Sequence, residues 1–174
     1  MADQVDLILD EWRRERPELD PSPMGVFGRV TRVYSRAHRR LEALLAHYQL
    51  TPASFDVLAN LRRAGAPYRR TPSELANSSM LTSGALTGRL DKLEQQGLIA
   101  REPAPADRRV MYAKLTDKGV ALIDEVMSAH LEQEEKMLAA LSPSQRRSLA
   151  NSLAALEASI MATGAQRSDG QLAT

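Results

Sequence analysis

Apolar positions fall at helical spacing over most of the chain and at strand spacing in one short stretch past its middle. Val5, Ile8, Leu9 and Trp12 form an i, i+3, i+4, i+7 stripe, which predicts an amphipathic helix over residues 3–15. Pro17, Pro21 and Pro23 then mark a linker or turn. A long helix is expected over about 24–48, with Phe27, Val30, Tyr34, Ala37, Leu41 and Leu44 on one side and Arg29, Arg32, Arg36, Arg39 and Arg40 on the other.

Three short helices follow, each with a legible start. Thr51 places a capping hydroxyl before Pro52 at the first helical position. Thr71, Pro72 and Glu74 repeat that signal and add a capping box. With Thr82 as the third cap, Leu81 and Leu86 take the positions of a hydrophobic staple. Gly97 ends the third helix, and the runs 98–102 and 110–115 then read as two strands. The loop between them is too long for a two-residue hairpin. It is rich in proline and charge, and it ends in Asp107, Arg108 and Arg109. That is the pattern of a wing.

Thr116 to Gly119 opens another long helix, to about Ala140, with Ile123, Val126, Met127, His130, Leu131 and Leu138 along one side. Ser142 and Gln145 form a capping box for the last helix, whose narrow stripe is Leu149, Leu153, Leu156 and Ile160. The predicted fold is mainly α with a small β-hairpin wing: a winged helix-turn-helix lobe over 51–116 between long terminal helices. Residues 1–20 form an extra helix and linker, and 21–50 with 117–163 form a helical dimerisation region. Residues 164–174 are small and polar and are expected to be a disordered tail. The terminal helices are too apolar along one side to stand alone, and a homodimer supplies the missing cover.

Composition narrows the function. A 43% hydrophobic and 26% charged content is that of an ordinary globular protein. The absence of cysteine excludes a disulfide framework and thiolate chemistry. The acidic start without an apolar run predicts no signal peptide, and no stretch approaches the about 18 apolar residues of a membrane span. A cytoplasmic protein is expected. The net charge of +1 requires any nucleic-acid contact to rest on local clusters of positive charge.

The third short helix is the candidate reader of DNA. With Leu86 facing the core, Leu90 and Leu93 fall on the same side at about 100° per residue, and Gly84, Thr87, Gly88 and Asp91 fall opposite. That small outer face lets a phosphate or base edge approach, with Thr82, Ser83 and Thr87 as donors. A merely solvated helix shows the same face, and the wing is what favours DNA. Arg108 suits the narrow minor groove, with Arg109 either beside it or tied to Asp107. Arg69 and Arg70 read equally as phosphate clamps or as a solvated pair.

Arg89 lies about 60° from Leu86, at the border of the apolar stripe, so it is expected to turn inward and to need an anion. That anion is either a structural carboxylate (Asp56 or Glu94) or a ligand. Asp56 also suits the dipole at the start of its helix, Trp12 could simply anchor the first helix, and Arg101 could be an ordinary strand residue sharing a face with Ile99.

The residues from Leu98 to Arg101, the wing ending in Asp107, Arg108, Arg109 and Val110, and the run Leu115-Thr116-Asp117-Lys118-Gly119 together resemble the MarR family of winged-helix regulators, over about residues 24–162. The extra helix with Trp12, together with Asp56, Arg89 and Arg101, is similar to the urate-responsive, HucR- and PecS-like branch. The resemblance implies a homodimeric repressor on palindromic double-stranded operator DNA, released by a small anionic effector, urate, held by these four residues. Stacking on Trp12 and the planar donor fork of Arg89 suit a flat purine anion. Bound urate would repel Asp56 and strain its link to Arg101. The alternatives are another effector, such as a polycarboxylate or phenolic acid, or a helical dimerisation module without DNA. No cofactor, metal site, membrane contact or enzyme activity is expected: His38, His47 and His130 are scattered, and no catalytic motif is present.

Overall fold

A computed structural model of the chain describes residues 2–78, 83–103 and 110–169, the backbone alone for 83–85 and 164–169. The order of elements is α1 (Gln4–Glu15), α2 (Ser22–His47), α3 (Pro52–Arg63), β1 (Arg69–Arg70), α4 (Pro72–Ser78), α5 (Ser83–Gln95), β2 (Ile99–Pro103), β3 (Met111–Leu115), α6 (Asp117–Met137) and α7 (Pro143–Asp169). The mainly helical winged helix-turn-helix reading holds.

Local chemistry explains the helix starts. Thr51 Oγ1 accepts from the Ser54 N–H at 3.1 Å. Thr71 and Glu74 bond reciprocally, at 2.7 and 3.2 Å, and so do Ser142 and Gln145, at 2.8 and 3.3 Å. The expected cap at Thr82 lies outside the described residues, as does the wing loop 104–109. Helix α2 begins at Ser22, before the expected start, because Pro23 fits the first turn, where its missing N–H costs nothing. Helix α7 continues to Asp169, which corrects the tail expected from residue 164: Ala165, Gln166 and Arg167 favour helix, and one Gly164 costs only about 1 kcal/mol. Residues 170–174 lie outside the description.

The expected hairpin is the larger part of a three-stranded antiparallel sheet ordered β1-β3-β2. Arg69 pairs with Lys114, and Ile99, Arg101 and Pro103 pair with Leu115, Ala113 and Met111. One face of the sheet carries buried Ile99, Ala113 and Leu115. These residues join Val57, Leu58 and Leu61 of α3, Leu75 of α4, Leu86, Leu90 and Leu93 of α5, and Ile123 and Val126 of α6 in one core.

The chain forms two compact units, one up to Leu131 and one from Glu132. In the first, α1 docks on α2 through a small-residue groove: Gly25 and Gly28 leave the space that Leu9 and Val5 occupy. Arg29 pins the start of α1 through Asp3 at 3.0 Å and Asp6 at 2.6 Å. In the second, Arg146 holds the Glu135 carboxylate and the carbonyls of Leu138 and Leu141, fixing the turn into α7.

The run Leu115 to Gly119 seats α6 on the end of α5. Gly97, with φ +70°, closes α5 in a Schellman turn: the Gly97 N–H donates to the Glu94 carbonyl and the Leu98 N–H to the Leu93 carbonyl. Thr116 Oγ1 donates to the Gly97 carbonyl at 2.8 Å, and Lys118 Nζ to the Gln96 carbonyl at 2.8 Å. Carbonyls left over at the end of α5 are thereby satisfied by α6.

Candidate functional site

Helix α5 presents two different sides. Leu86, Leu90 and Leu93 are buried, whereas Thr87 and Gly88 are exposed, and a side chain built at Gly88 would meet nothing within 4 Å. Ser83 and Gly84 lie in the first turn of the same helix. Thr87 and Gly88 are therefore exposed as the helical wheel expects. Thr82, Arg108 and Arg109 lie outside the described residues.

Helix α4 is held at its far end from α3. Asn60 is almost completely buried and donates to Ser78 Oγ at 2.8 Å, and Arg63 donates to the Ser78 carbonyl at 2.8 Å. Arg62 joins α3 to α6 through a two-pronged bond to Asp124, at 2.7 and 3.1 Å. Sequence reasoning missed Asn60. Its signal is a polar residue inside an apolar helix face, which is visible only once its neighbours Val57, Leu58 and Leu61 are known to be core.

Arg89 turns inward. It is half-buried, and its Nη1 is buried without a hydrogen-bond partner among the described residues. Asp56 on α3 is also half-buried, and its Oδ2 has no partner either. Two opposite charges on α3 and α5, helices in contact, thus each hold a buried polar atom that no described residue satisfies. Such groups are costly to bury, by about 1–3 kcal/mol each, unless something completes them.

The expected link between Asp56 and Arg101 is not formed. Arg101 Nη2 donates to Asp91 Oδ1 instead, and its Nε lies 3.6 Å from Glu94 Oε2. The reason is the register: Arg101 shares the helix-facing side of the sheet with Ile99, and that side meets α5, where Asp91 and Glu94 lie nearly one turn apart. Asp91, expected on the outer face with Thr87, is half-exposed and takes its partner from β2.

Trp12 is 44% exposed and lies at a cavity of about 290 Å³, lined otherwise by Leu19, Asp20, Pro21, Pro23 and Met24. Asp56, Arg89 and Arg101 are not in that lining. Trp12 forms an apolar wall between α1 and the start of α2.

Arg69 is engaged within the sheet and is not an open clamp. Arg69 Nη1 donates to Glu102 Oε1 at 2.7 Å, and its guanidinium lies over the Tyr112 ring, 4.6 Å from the centroid. Lys114 Nζ approaches the other Glu102 oxygen at 3.3 Å. The hydrogen bond from Arg69, reinforced by Lys114, holds the Glu102 carboxyl below its ordinary pKa. Arg70 Nε is buried. No cluster of potential metal ligands occurs among the described residues.

A sequence profile of the MarR family matches residues 50–111, the stretch from α3 to the first residue of β3. The transcriptional regulator PecS of Dickeya dadantii is 42% identical over 84% of this chain and 88% of its own length. The chain belongs to the MarR family. Proteins of this family are DNA-binding transcription regulators that respond to small molecules, and they are not enzymes. A mutant MarR of Escherichia coli, solved in complex with operator DNA, superimposes with a TM-score of 0.67 at 25% identity, covering 89% of this chain and 99% of its own. BpsR of Bordetella bronchiseptica, whose DNA binding is regulated by 6-hydroxynicotinic acid, shares the fold with a TM-score of 0.67 at 24% identity, over 76% of this chain and 92% of its own. Within this MarR-family chain, no described helix is long and apolar enough to cross a membrane.

Proposed function

We propose that this MarR-family chain is a cytoplasmic homodimeric repressor of a palindromic operator, released when a small planar anion, urate, binds beside α5. The observation that carries the ligand part is the pair of buried polar atoms without partners among the described residues, Arg89 Nη1 on α5 and Asp56 Oδ2 on α3, two helices in contact. An anion on Arg89 satisfies the guanidinium and repels Asp56, so α3 and α5 are driven apart. Release follows only if the shifted form binds the ligand more tightly than the DNA-competent form. Trp12 would supply a flat apolar wall, and Arg101, already held on α5, would carry the shift to the wing.

The proposed DNA contacts are Thr82, Ser83, Gly84, Thr87 and Gly88 in the major groove, and Arg108 and Arg109 at the wing. Dimerisation is supported by apolar side chains left exposed on α2 (Phe27, Val33, Tyr34) and on α7 (Leu149, Leu153, Ile160). Two-fold symmetry then places two reading helices about one DNA turn apart. An electrophoretic mobility shift of the chain on its own upstream region tests the reading. Urate should reverse the shift, and a shift that persists at saturating urate would sink urate as the effector. The apolar wall and cationic fork also fit an aromatic carboxylate, in keeping with the regulation of BpsR by 6-hydroxynicotinic acid, and the same gel would reveal it.

A further inference from the structure

On the face of the sheet away from the core, three strands contribute one charge cluster. Glu102 on β2 reaches across β3 to Arg69 on β1 and takes Lys114 of β3 on its second oxygen. All three side chains remain about one-third exposed. Tyr112 fixes the plane of the Arg69 guanidinium from below. The cluster sits at the start of α4 and at the end of β2: Thr71, the cap of α4, follows Arg70 directly, and β2 ends at Pro103.

A guanidinium fork and an ammonium converging on a carboxylate have the geometry that also receives a phosphate. We propose that Glu102 is a built-in phosphate surrogate, which masks Arg69 and Lys114 in the free protein and lowers its affinity for the DNA backbone. Phosphate must displace the carboxylate to reach these cations, so non-specific binding is restrained while the wing and α5 keep their own contacts. This rests on DNA binding by the family and is independent of the effector, so its failure and that of the urate reading are separable.

The test is fluorescence anisotropy with a mixed-sequence duplex lacking any operator, titrated from about 0.05 to 0.2 M salt to read counterion release. Glu102→Gln should bind more tightly and steepen the slope of log affinity against log salt by about 0.9 for each cation released to a phosphate. One added contact makes the gain over the unmodified chain about threefold larger at the low-salt end than at the high-salt end. Adding Arg69→Gln and Lys114→Gln to that variant should abolish the gain. If Glu102→Gln folds poorly, Glu102→Asp, which shortens the reach, should change affinity in the same direction by less. A variant with an unaltered melting temperature and either an unchanged slope or weaker binding would overturn the proposal and leave Glu102 as a strap between strands.

Discussion

Arg101 of β2 and Asp91 of α5 form a hydrogen-bonded ion pair that ties the first strand of the wing to the helix exposing Thr87 and Gly88. An acid on that helix would repel phosphates, and Arg101 neutralises it. The pair is one-third to one-half exposed, so its contribution to stability is small, about 0.5 kcal/mol. Arg101→Ala should therefore shift the melting temperature little and weaken DNA binding several-fold. Adding Asp91→Asn should restore much of the loss. A single variant with full DNA affinity in an anisotropy titration would contradict this role.

Gly119 has no room for a side chain. A Cβ there would lie 2.0 Å from the Leu98 carbonyl oxygen, a backbone atom that the Schellman turn and the Thr116 N–H hold in place. Gly119→Ala must push α6 off the end of α5, and we expect a loss of about 3 kcal/mol in urea unfolding, at the severe end for overpacking. Stability within about 0.5 kcal/mol of the unmodified chain would show that the contact is soft.

The Glu102 carboxyl is held below the ordinary glutamate value of 4.5, first by the hydrogen bond from Arg69. Its folded pKa is depressed, so the stabilisation by the cluster is fully present above the unfolded value and is lost as pH falls through the lower folded one. A carboxyl-carbon NMR titration should therefore place the Glu102 midpoint below the ordinary glutamate value. A midpoint at or above the ordinary value would show that the cluster is not formed in solution.

What the sequence showed depends on how local each cause is. The caps at Thr51, Thr71 and Ser142 use partners three residues away, and the stripe Leu86, Leu90 and Leu93 follows from helix geometry alone. The inward turn of Arg89 was legible for the same reason. Strand β1 was not, since two residues acquire strand character only by pairing with Lys114 and Ala113, far along the chain. Glu102 stayed invisible because its partners come from two other strands. Asp91 was placed correctly on the wheel, yet Arg101 had to arrive from β2 to show what it does. Trp12 was legible as part of the apolar stripe of α1, but which cavity it lines depends on the path of the proline-containing linker.

The central claim is that the Arg89 guanidinium waits for an anion on the inner side of α5. Isothermal calorimetry of urate against the unmodified chain and against Arg89→Gln measures this directly. Saturable binding to the first and a loss of at least about tenfold in affinity for the second, with both variants melting alike, is the result expected of a lost charge-assisted hydrogen bond. Equal urate affinity in the two, or no heat of binding with the unmodified chain, would contradict it.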